Sequence, residues 1–152
     1  MSCAVSPLLV RALVAPILIA SLIGCGSQPS GDVLPTVHVS GILTYKGQPL
    51  EYHQVTFTPS DGQRPAAGIS DENGKFTLGT NSPGDGAIKG THNISITYVG
   101  PPNDDPEFGI NEFYSPPPPK VKIPRKYADP KNSGITIEVP AGGLADVAVE
   151  LK

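Results

Sequence analysis

The chain has 152 residues, with 11 Lys and Arg against 14 Asp and Glu and a formal net charge of −3. This length suits one domain of ordinary size, and the lack of a basic excess in the sequence argues against nucleic acid as a partner. Both cysteines, Cys3 and Cys25, lie near the N-terminus, which predicts a domain without an internal disulfide.

The first 24 residues have the pattern of a secretory signal. Arg11 is the only charged residue in this stretch, and it precedes an apolar run over 13–20. That run is shorter than the roughly 20 apolar residues that cross a bilayer, and it fits the hydrophobic region of a cleaved signal. We therefore expect residues 1–24 to be removed from the mature protein.

A lipidation motif ends the predicted signal. The residues Leu22-Ile23-Gly24-Cys25 resemble the lipobox of bacterial lipoproteins. The resemblance implies that the Cys25 thiol receives a diacylglycerol, that cleavage separates Gly24 from Cys25, and that the new N-terminus is acylated. An ordinary secretory signal with an incidental Cys25 is the alternative. Acylation would hold the protein on a membrane of the cell envelope, at the outer membrane or the periplasmic face.

A short linker follows the lipobox. Residues 25–35 include the cysteine and are rich in Ser, Gly and Pro, a composition typical of a flexible tether. From Thr36 onwards, β-branched and aromatic residues become frequent. We therefore expect the folded domain to span 36–152.

The predicted domain consists of strands and turns. Apolar and polar residues alternate in short segments that Gly, Pro, Asn and Asp separate, and the sequence has no amphipathic helix pattern. Short, evenly spaced strands of this kind predict an all-β fold, a sandwich of about seven strands. The predicted strands lie at 36–45, 54–58, 68–70, 75–78, 91–99, 134–139 and 145–151.

The centre of this pattern is a turn at Asp71-Glu72-Asn73-Gly74. Asn-Gly supplies positive φ angles and the Asp71 carboxylate can accept backbone N–H bonds, so we predict a β-hairpin with Ile69 and Phe76 on its arms. A calcium loop is the alternative. Its twelfth position would be Ser82, where an EF-hand requires Glu, so the hairpin is preferred.

One face of the predicted strands should form the core, because successive side chains of a strand point to opposite faces. The supply of apolar residues is enough for one small core. The predicted inward residues are Val39, Ile42, Val55, Phe57, Ile69, Phe76, Leu78, Ile94, Ile96, Ile137, Val139, Val147 and Val149.

Turn and core motifs recur in a familiar order along the domain: Val39-Ser40-Gly41-Ile42, Lys46-Gly47-Gln48-Pro49-Leu50, Val55-Thr56-Phe57-Thr58-Pro59 and 70–78. Together they resemble carboxypeptidase-regulatory-like domains, the transthyretin-like or prealbumin-type group. The later segment Ile123-Pro124-Arg125-Lys126-Tyr127 resembles a subgroup of small lipoproteins abundant in planctomycete bacteria. The resemblance covers most of the predicted domain and implies a seven-stranded Greek-key β-sandwich, often an accessory module without catalysis of its own.

A proline-rich loop interrupts the strands at 100–120 and contains seven prolines. Proline cannot donate to a sheet ladder, so this segment should have polyproline II character. Phe108, Phe113 and Tyr114 lie in it, and aromatic residues beside polyproline segments are common in recognition surfaces. We predict these three residues as partner contacts. The alternative is that their rings fold back and cover an open edge of the sandwich.

The sequence contains no recognisable catalytic or metal-binding signature. His38, His53 and His92 are too dispersed for a known metal motif, and there is no Gly-x-Ser-x-Gly nucleophile elbow. We therefore predict no enzymatic activity, no cofactor and no metal site. A cation site, the weaker alternative, would use Asp85, Asp104 and Asp105.

The sequence thus predicts a membrane-anchored lipoprotein whose non-catalytic β-sandwich is a structural or interaction module of the cell envelope. Its predicted partners are the membrane, through the lipid anchor, and an unidentified protein or glycan. The alternative is a carbohydrate- or peptide-binding accessory protein that uses the loop at 100–120. A preformed cleft lined by the loop aromatics would favour that alternative.

Overall fold

The computed structural model describes residues 33–102 and 115–152. The predicted signal, the lipidation site with Gly24 and Cys25, and most of the tether lie outside the described residues. The same is true of Phe108, Phe113 and Tyr114, and of Asp104 and Asp105.

The described residues form ten β-strands and one short 3₁₀ helix, and they confirm the all-β class. Within 33–102 and 115–152, no helix is long and apolar enough to span a membrane. The elements are β1 Thr36–Val37, β2 Val39–Tyr45, β3 Gln48–Pro49, β4 His53–Pro59, β5 Ala66–Ile69, β6 Lys75–Thr77, β7 Ala87–Ile88, β8 Gly90–Tyr98, the 3₁₀ helix Arg125–Ala128, β9 Thr136–Val139 and β10 Leu144–Leu151.

Two four-stranded sheets make up most of the domain. In the first sheet, β2 pairs in parallel with β10 and in antiparallel fashion with both β3 and β6. The second sheet is antiparallel, in the order β5-β4-β8-β9. A separate two-stranded sheet joins β1 to β7. The second sheet therefore has β4 and β8 as its inner strands.

Both sheets contribute to one hydrophobic core, which makes the fold β-sandwich-like. The rings of Phe57 on β4 and Phe76 on β6 meet across the core with their centroids 6.4 Å apart. Among the predicted inward residues, Ile137 and Val147 are half-buried against this core. Those that are fully buried are Val39, Val55, Phe57, Phe76, Leu78, Ile94, Ile96, Val139 and Val149.

Two of the predicted inward residues point away from the core. Ile42 is only half-buried, because β2 turns Val39, Gly41 and Leu43 inward and therefore turns Ile42 to the other face. Ile69 is 58% exposed. Its register pairs it with Gln54, and directly opposite residues share one face of a sheet, here the solvent face of the second sheet.

The predicted turn at 71–74 is present, and the Asp71 cap is confirmed. The Gly74 N–H donates to the Asp71 carbonyl at 3.0 Å. The Asp71 Oδ1 atom accepts the backbone N–H groups of Asn73 at 2.8 Å and Lys75 at 2.9 Å. Only Gly74 of the Asn-Gly pair has a positive φ, 75°. The turn thus needs one left-handed residue where the sequence predicted a pair.

The prediction of a hairpin within one sheet is wrong, because the two arms belong to different sheets. β5 pairs with β4, whereas β6 pairs with β2, and the arms are joined to each other only by the isolated bridge between Ala67 and Gly79 and by the hydrogen bond from the Asp71 N–H to the Lys75 carbonyl at 2.8 Å, among the backbone hydrogen bonds of the described residues. Each end of the turn is bonded to a different sheet. The Ser70 N–H donates to the His53 carbonyl at 2.9 Å, and the Gly74 carbonyl accepts the Leu43 N–H at 2.8 Å. The segment 70–75 is therefore a crossing between the sheets.

Gly41 lies where the first sheet is most crowded. A Cβ atom at this position would overlap the Val147 carbonyl oxygen and lie 2.8 Å from Phe76 Cζ. A carbonyl oxygen of a paired strand cannot move aside without disturbing the β2–β10 ladder. The absence of a side chain at Gly41 is therefore a packing requirement.

We predict that Gly41→Ala lowers the free energy of unfolding by about 1–3 kcal/mol, the usual cost of overpacking. Urea denaturation measures this change. Gly142→Ala is the matched control, because a Cβ atom at Gly142 meets nothing within 4 Å, and its effect should stay below about 0.5 kcal/mol. Equal stability of Gly41→Ala and wild type would contradict the described β2–β10 packing.

Candidate functional site

The structure does not bring the three histidines together. His38 is exposed, whereas His53 and His92 are each no more than 2% exposed. The register pairs His53 with Tyr98 at one end of the β4–β8 ladder and His92 with Pro59 at the other end. Six residues of extended strand separate the two ends by about 20 Å. In the part of the chain that the structure describes, no three His, Cys, Asp or Glu side chains are placed to hold a metal ion.

Asp85, one of the residues considered for a cation site, caps its own loop. Its carboxylate accepts the backbone N–H groups of Thr80 at 2.7 Å, Asn81 at 3.0 Å and Ser82 at 3.1 Å. Burial opposes ionisation of Asp85, but these hydrogen bonds and one from the Asn81 side chain outweigh it and lower the pKa. The carboxylate is thus already engaged within the loop.

The loop capped by Asp85 holds the beginning of the domain. The Asn81 side chain accepts the Leu34 N–H at 3.1 Å and donates to the Leu34 carbonyl at 2.9 Å. This paired contact ties the end of the predicted tether to the loop at 79–86. Asp85 therefore positions Asn81, and Asn81 sets where the N-terminal segment leaves the domain.

We predict that Asp85→Asn lowers the free energy of unfolding at pH 7 by about 1 kcal/mol, because charge-assisted hydrogen bonds are lost. The pKa of Asp85 is lowered in the folded state, so its contribution is present above the ordinary value of 3.8 and disappears as the pH falls through the folded pKa. Urea unfolding between pH 2.5 and pH 7 measures the difference. Asp146→Asn, at an exposed position of β10, controls for the charge change. If the free energies of unfolding of wild type and Asp85→Asn differed by the same amount at all pH values, the stabilising role of the ionised Asp85 carboxylate would be contradicted.

His53 has the most unusual polar environment in the described part of the chain. Its Nδ1 atom lies 2.7 Å from the Glu51 carbonyl oxygen, which can only accept, so Nδ1 carries the proton. The opposite nitrogen, Nε2, is then an acceptor, and it is buried without a hydrogen-bond partner. A buried acceptor left unpaired costs about 1–3 kcal/mol. The edge of the Tyr98 ring packs against His53, with centroids 5.1 Å apart.

Burial lowers the pKa of His53 below its ordinary value of 6.5. The hydrogen bond to the Glu51 carbonyl and the nearby Glu51 carboxylate act in the opposite direction but do not compensate for the lost hydration. His53 is therefore neutral at pH 7, and its Nε2 lone pair is available to a hydrogen-bond donor.

Two surface cavities meet at His53, which lines both of them together with Val121. The larger cavity has a volume of about 470 Å³ and also contains Glu51, Glu72 and Lys120. The smaller has a volume of about 320 Å³ and contains Tyr98. Both volumes fall within the roughly 300–1,000 Å³ usual for small-molecule sites. We call this pair of cavities the His53 groove.

Residues 115–121, which we call the proline segment, lie across the His53 groove. The Tyr98 hydroxyl donates to the Pro117 carbonyl at 2.8 Å. Lys120 Nζ lies 3.0 Å from the Glu51 carboxylate, in an ion pair whose lysine side chain is 80% exposed. Exposed ion pairs contribute about 0–1 kcal/mol, so this contact holds the segment only weakly. The C-terminal end of the predicted loop thus lies against the sandwich.

The sequence analysis missed the His53 groove, although one signal was present. Apolar and polar residues alternate from His53 to Pro59, which places His53 on the same inward face as Val55 and Phe57. A buried histidine at a strand end could therefore have been predicted. The contacts of His53 with Tyr98 and with the cavity that contains Lys120 could not be predicted, because both residues are far from His53 in the sequence and no local pattern joins them.

Comparisons with protein-family models, with curated proteins and with solved structures found no match for this chain.

Replacing His53 should reduce the pH dependence of stability. Its folded pKa is lowered, so the unfolded chain binds the proton more readily, and stability rises as the pH increases from the folded pKa to about 6.5 and levels off above that value. We predict that the wild-type free energy of unfolding increases from pH 5 to pH 7 more steeply than that of His53→Gln. Urea unfolding at intervals of half a pH unit measures both slopes, and identical slopes would contradict a neutral buried His53.

Proposed function

We propose that this protein is a lipid-anchored lipoprotein of the cell envelope whose β-sandwich is a non-catalytic interaction module. The observation that carries the proposal is the order of the N-terminal segments. An apolar run, the residues Leu22-Ile23-Gly24-Cys25 and a Ser-, Gly- and Pro-rich linker precede the first strand. Acyl chains on Cys25 would anchor the chain, since each buried CH₂ group contributes about 0.8 kcal/mol.

The arrangement of the tether end supports this assignment. Asn81 binds Leu34 through both its oxygen and its nitrogen, so the segment that leads to Cys25 leaves from a defined point of the domain.

We further propose that the sandwich is of the seven-stranded, Greek-key, transthyretin-like kind, the seven strands being those other than β1, β3 and β7, which have two residues each. An antiparallel sheet in the order β5-β4-β8-β9 facing a mixed sheet centred on β2 supports this proposal. The motif Val39-Ser40-Gly41-Ile42 lies in β2, and the motif at 70–78 contains the turn and β6. Such domains serve frequently as accessory modules, in line with a role in binding.

The contacts of Ser70 support a non-catalytic role. Ser70 lies beside His53, but its hydroxyl donates to the Leu50 carbonyl at 2.6 Å and accepts the His53 backbone N–H at 2.9 Å. The His53 ring is bonded through Nδ1 to Glu51 instead. A nucleophilic serine needs a hydrogen bond to the ring of its base, which this pair lacks.

A second candidate function is a carbohydrate- or peptide-binding accessory protein that uses the loop at 100–120. The observation in its favour is the His53 groove, where the proline segment meets the strand end next to Tyr98. Under this proposal the ligand would contact the described end of the loop, and Phe108, Phe113 and Tyr114, which lie outside the described residues, stay predicted partner contacts.

We predict that Cys25→Ala abolishes membrane association of the full chain expressed in a bacterium with lipoprotein-processing enzymes. Detergent phase partitioning and intact mass measure the outcome, and wild type should give an acylated chain that begins at Cys25. Cys3→Ala is the matched control, because the predicted cleavage removes Cys3, and it should behave as wild type. A soluble wild-type chain cleaved elsewhere, or a Cys25→Ala chain that stays with the membrane, would contradict the anchor.

A further inference from the structure

The unpartnered nitrogen of His53 is the starting observation. His53 is 2% exposed, its Nδ1 proton is directed to the Glu51 carbonyl, and its Nε2 lone pair has no donor in the ligand-free molecule. His92 also has a buried ring nitrogen without a partner, at the opposite end of the β4–β8 ladder. His53 differs because it lines two cavities that open to the surface. A ligand that offers a hydrogen-bond donor would satisfy the His53 acceptor.

The proline segment lies beside His53 and is held by both polar and apolar contacts. The Nε2 atom has no accessible surface, so a ligand reaches it only if neighbouring residues shift, and Pro119, Lys120 and Val121 of the proline segment line the two cavities beside it. The polar contacts of that segment with Tyr98 and with Glu51 are both exposed to solvent. Water can replace both of these polar contacts, whereas Val121 also packs against the core and Pro116 lies against Gly100, and a shift of the segment would have to break these contacts as well.

The charges along the groove favour an uncharged ligand. Two carboxylates, Glu51 and Glu72, face three cations, Lys120, Lys122 and Arg125. Glu51 is paired with Lys120, and Glu72 accepts the Tyr52 hydroxyl at 3.0 Å. These near-balanced charges select neither a strong anion nor a strong cation. The groove offers both hydrogen-bond donors and acceptors, as a ligand with several hydroxyl groups requires.

The position of β4 disfavours an extended peptide as the ligand. A peptide that adds to a sheet needs an open strand edge, but β4 has β5 on one side and β8 on the other. Tyr98 instead supplies an aromatic ring beside the cavity, next to Pro119 and Val121. An aromatic and proline wall suits the apolar face of a sugar ring, whose hydroxyls reach the polar groups.

We propose that the His53 groove binds a neutral saccharide, one hydroxyl of which donates to His53 Nε2. This inference rests on the proposed role as an interaction module. It names the class of ligand for the second candidate function, the carbohydrate- or peptide-binding accessory protein. Tyr98 would pack against the sugar ring, and Glu51 and Lys120 would exchange hydrogen bonds with its hydroxyls. On binding, the proline segment would shift only far enough to expose Nε2, with Pro119 and Lys120 remaining beside the saccharide.

Isothermal titration calorimetry of the full chain tests the proposal, with the neutral tetrasaccharides of β-1,4-glucose, β-1,4-N-acetylglucosamine and β-1,4-mannose as probes. The protein is purified in a zwitterionic detergent, because detergents with sugar headgroups would compete. We expect at least one probe to bind with a Kd below 1 mM, an affinity typical of a small site (about −4 kcal/mol or stronger). No binding by any probe at 10 mM overturns the proposal.

Variants locate the bound saccharide. His53→Phe keeps an aromatic ring but removes the acceptor, and we expect at least a tenfold loss of affinity. Tyr98→Leu removes the ring next to the sugar and should weaken binding about fivefold. This variant tests the location of the site if His53→Phe does not fold. His92→Phe is the matched control, since it alters the other buried histidine and should leave the Kd unchanged. Unchanged affinity in the groove variants that fold would place the saccharide elsewhere and overturn the proposal.

We expect the saccharide affinity to be independent of the proposed lipid anchor. The same titration with the Cys25→Ala chain should give the same Kd, because Cys25 lies far in sequence from the groove residues. A chain that binds the saccharide but carries no acyl group would refute the anchor alone. An acylated chain without saccharide binding would refute the groove proposal alone.

Discussion

The inward face of β4 is the constraint on which the rest of the structure depends. Every second residue of this strand, from His53 to Pro59, is buried, and β4 has paired strands on both sides. Phe57 therefore packs against Phe76 of the facing sheet, and the two sheets enclose one core. The same alternation draws His53 into the interior at the strand end. A polar ring is thus buried because of strand geometry, and only one of its two nitrogens finds a partner.

Much of the fold could be predicted from the sequence because it follows from local alternation. Val55, Phe57, Ile94 and Ile96 lie in regular strands and are buried as expected. The prediction was wrong at Ile42 because it departed from the alternation, which in β2 turns Val39, Gly41 and Leu43 inward. Alternation could not assign the arms of the turn at 71–74 to sheets, since pairing with β4 and β2 depends on residues remote in sequence.

The candidate site was less predictable, because it arises where three distant segments meet. Glu51 precedes β4, Tyr98 ends β8, and Lys120 ends the proline-rich loop. Each residue has an ordinary local context, and only the folded chain shows that they surround a histidine with an unpaired nitrogen. The proposed lipidation at Cys25 is the reverse case, because the motif that predicts it is local and needs no fold. The anchor and the groove are therefore supported by independent kinds of observation.

The most direct test of this account is the protonation state of His53 in the ligand-free protein. Long-range ¹H–¹⁵N NMR correlation spectra of the imidazole rings at pH 7 report it without a substitution. The account predicts a neutral His53 ring that carries its proton on Nδ1 and leaves Nε2 unprotonated. A charged ring, or a proton on Nε2, would contradict the buried acceptor from which the function of the groove is argued.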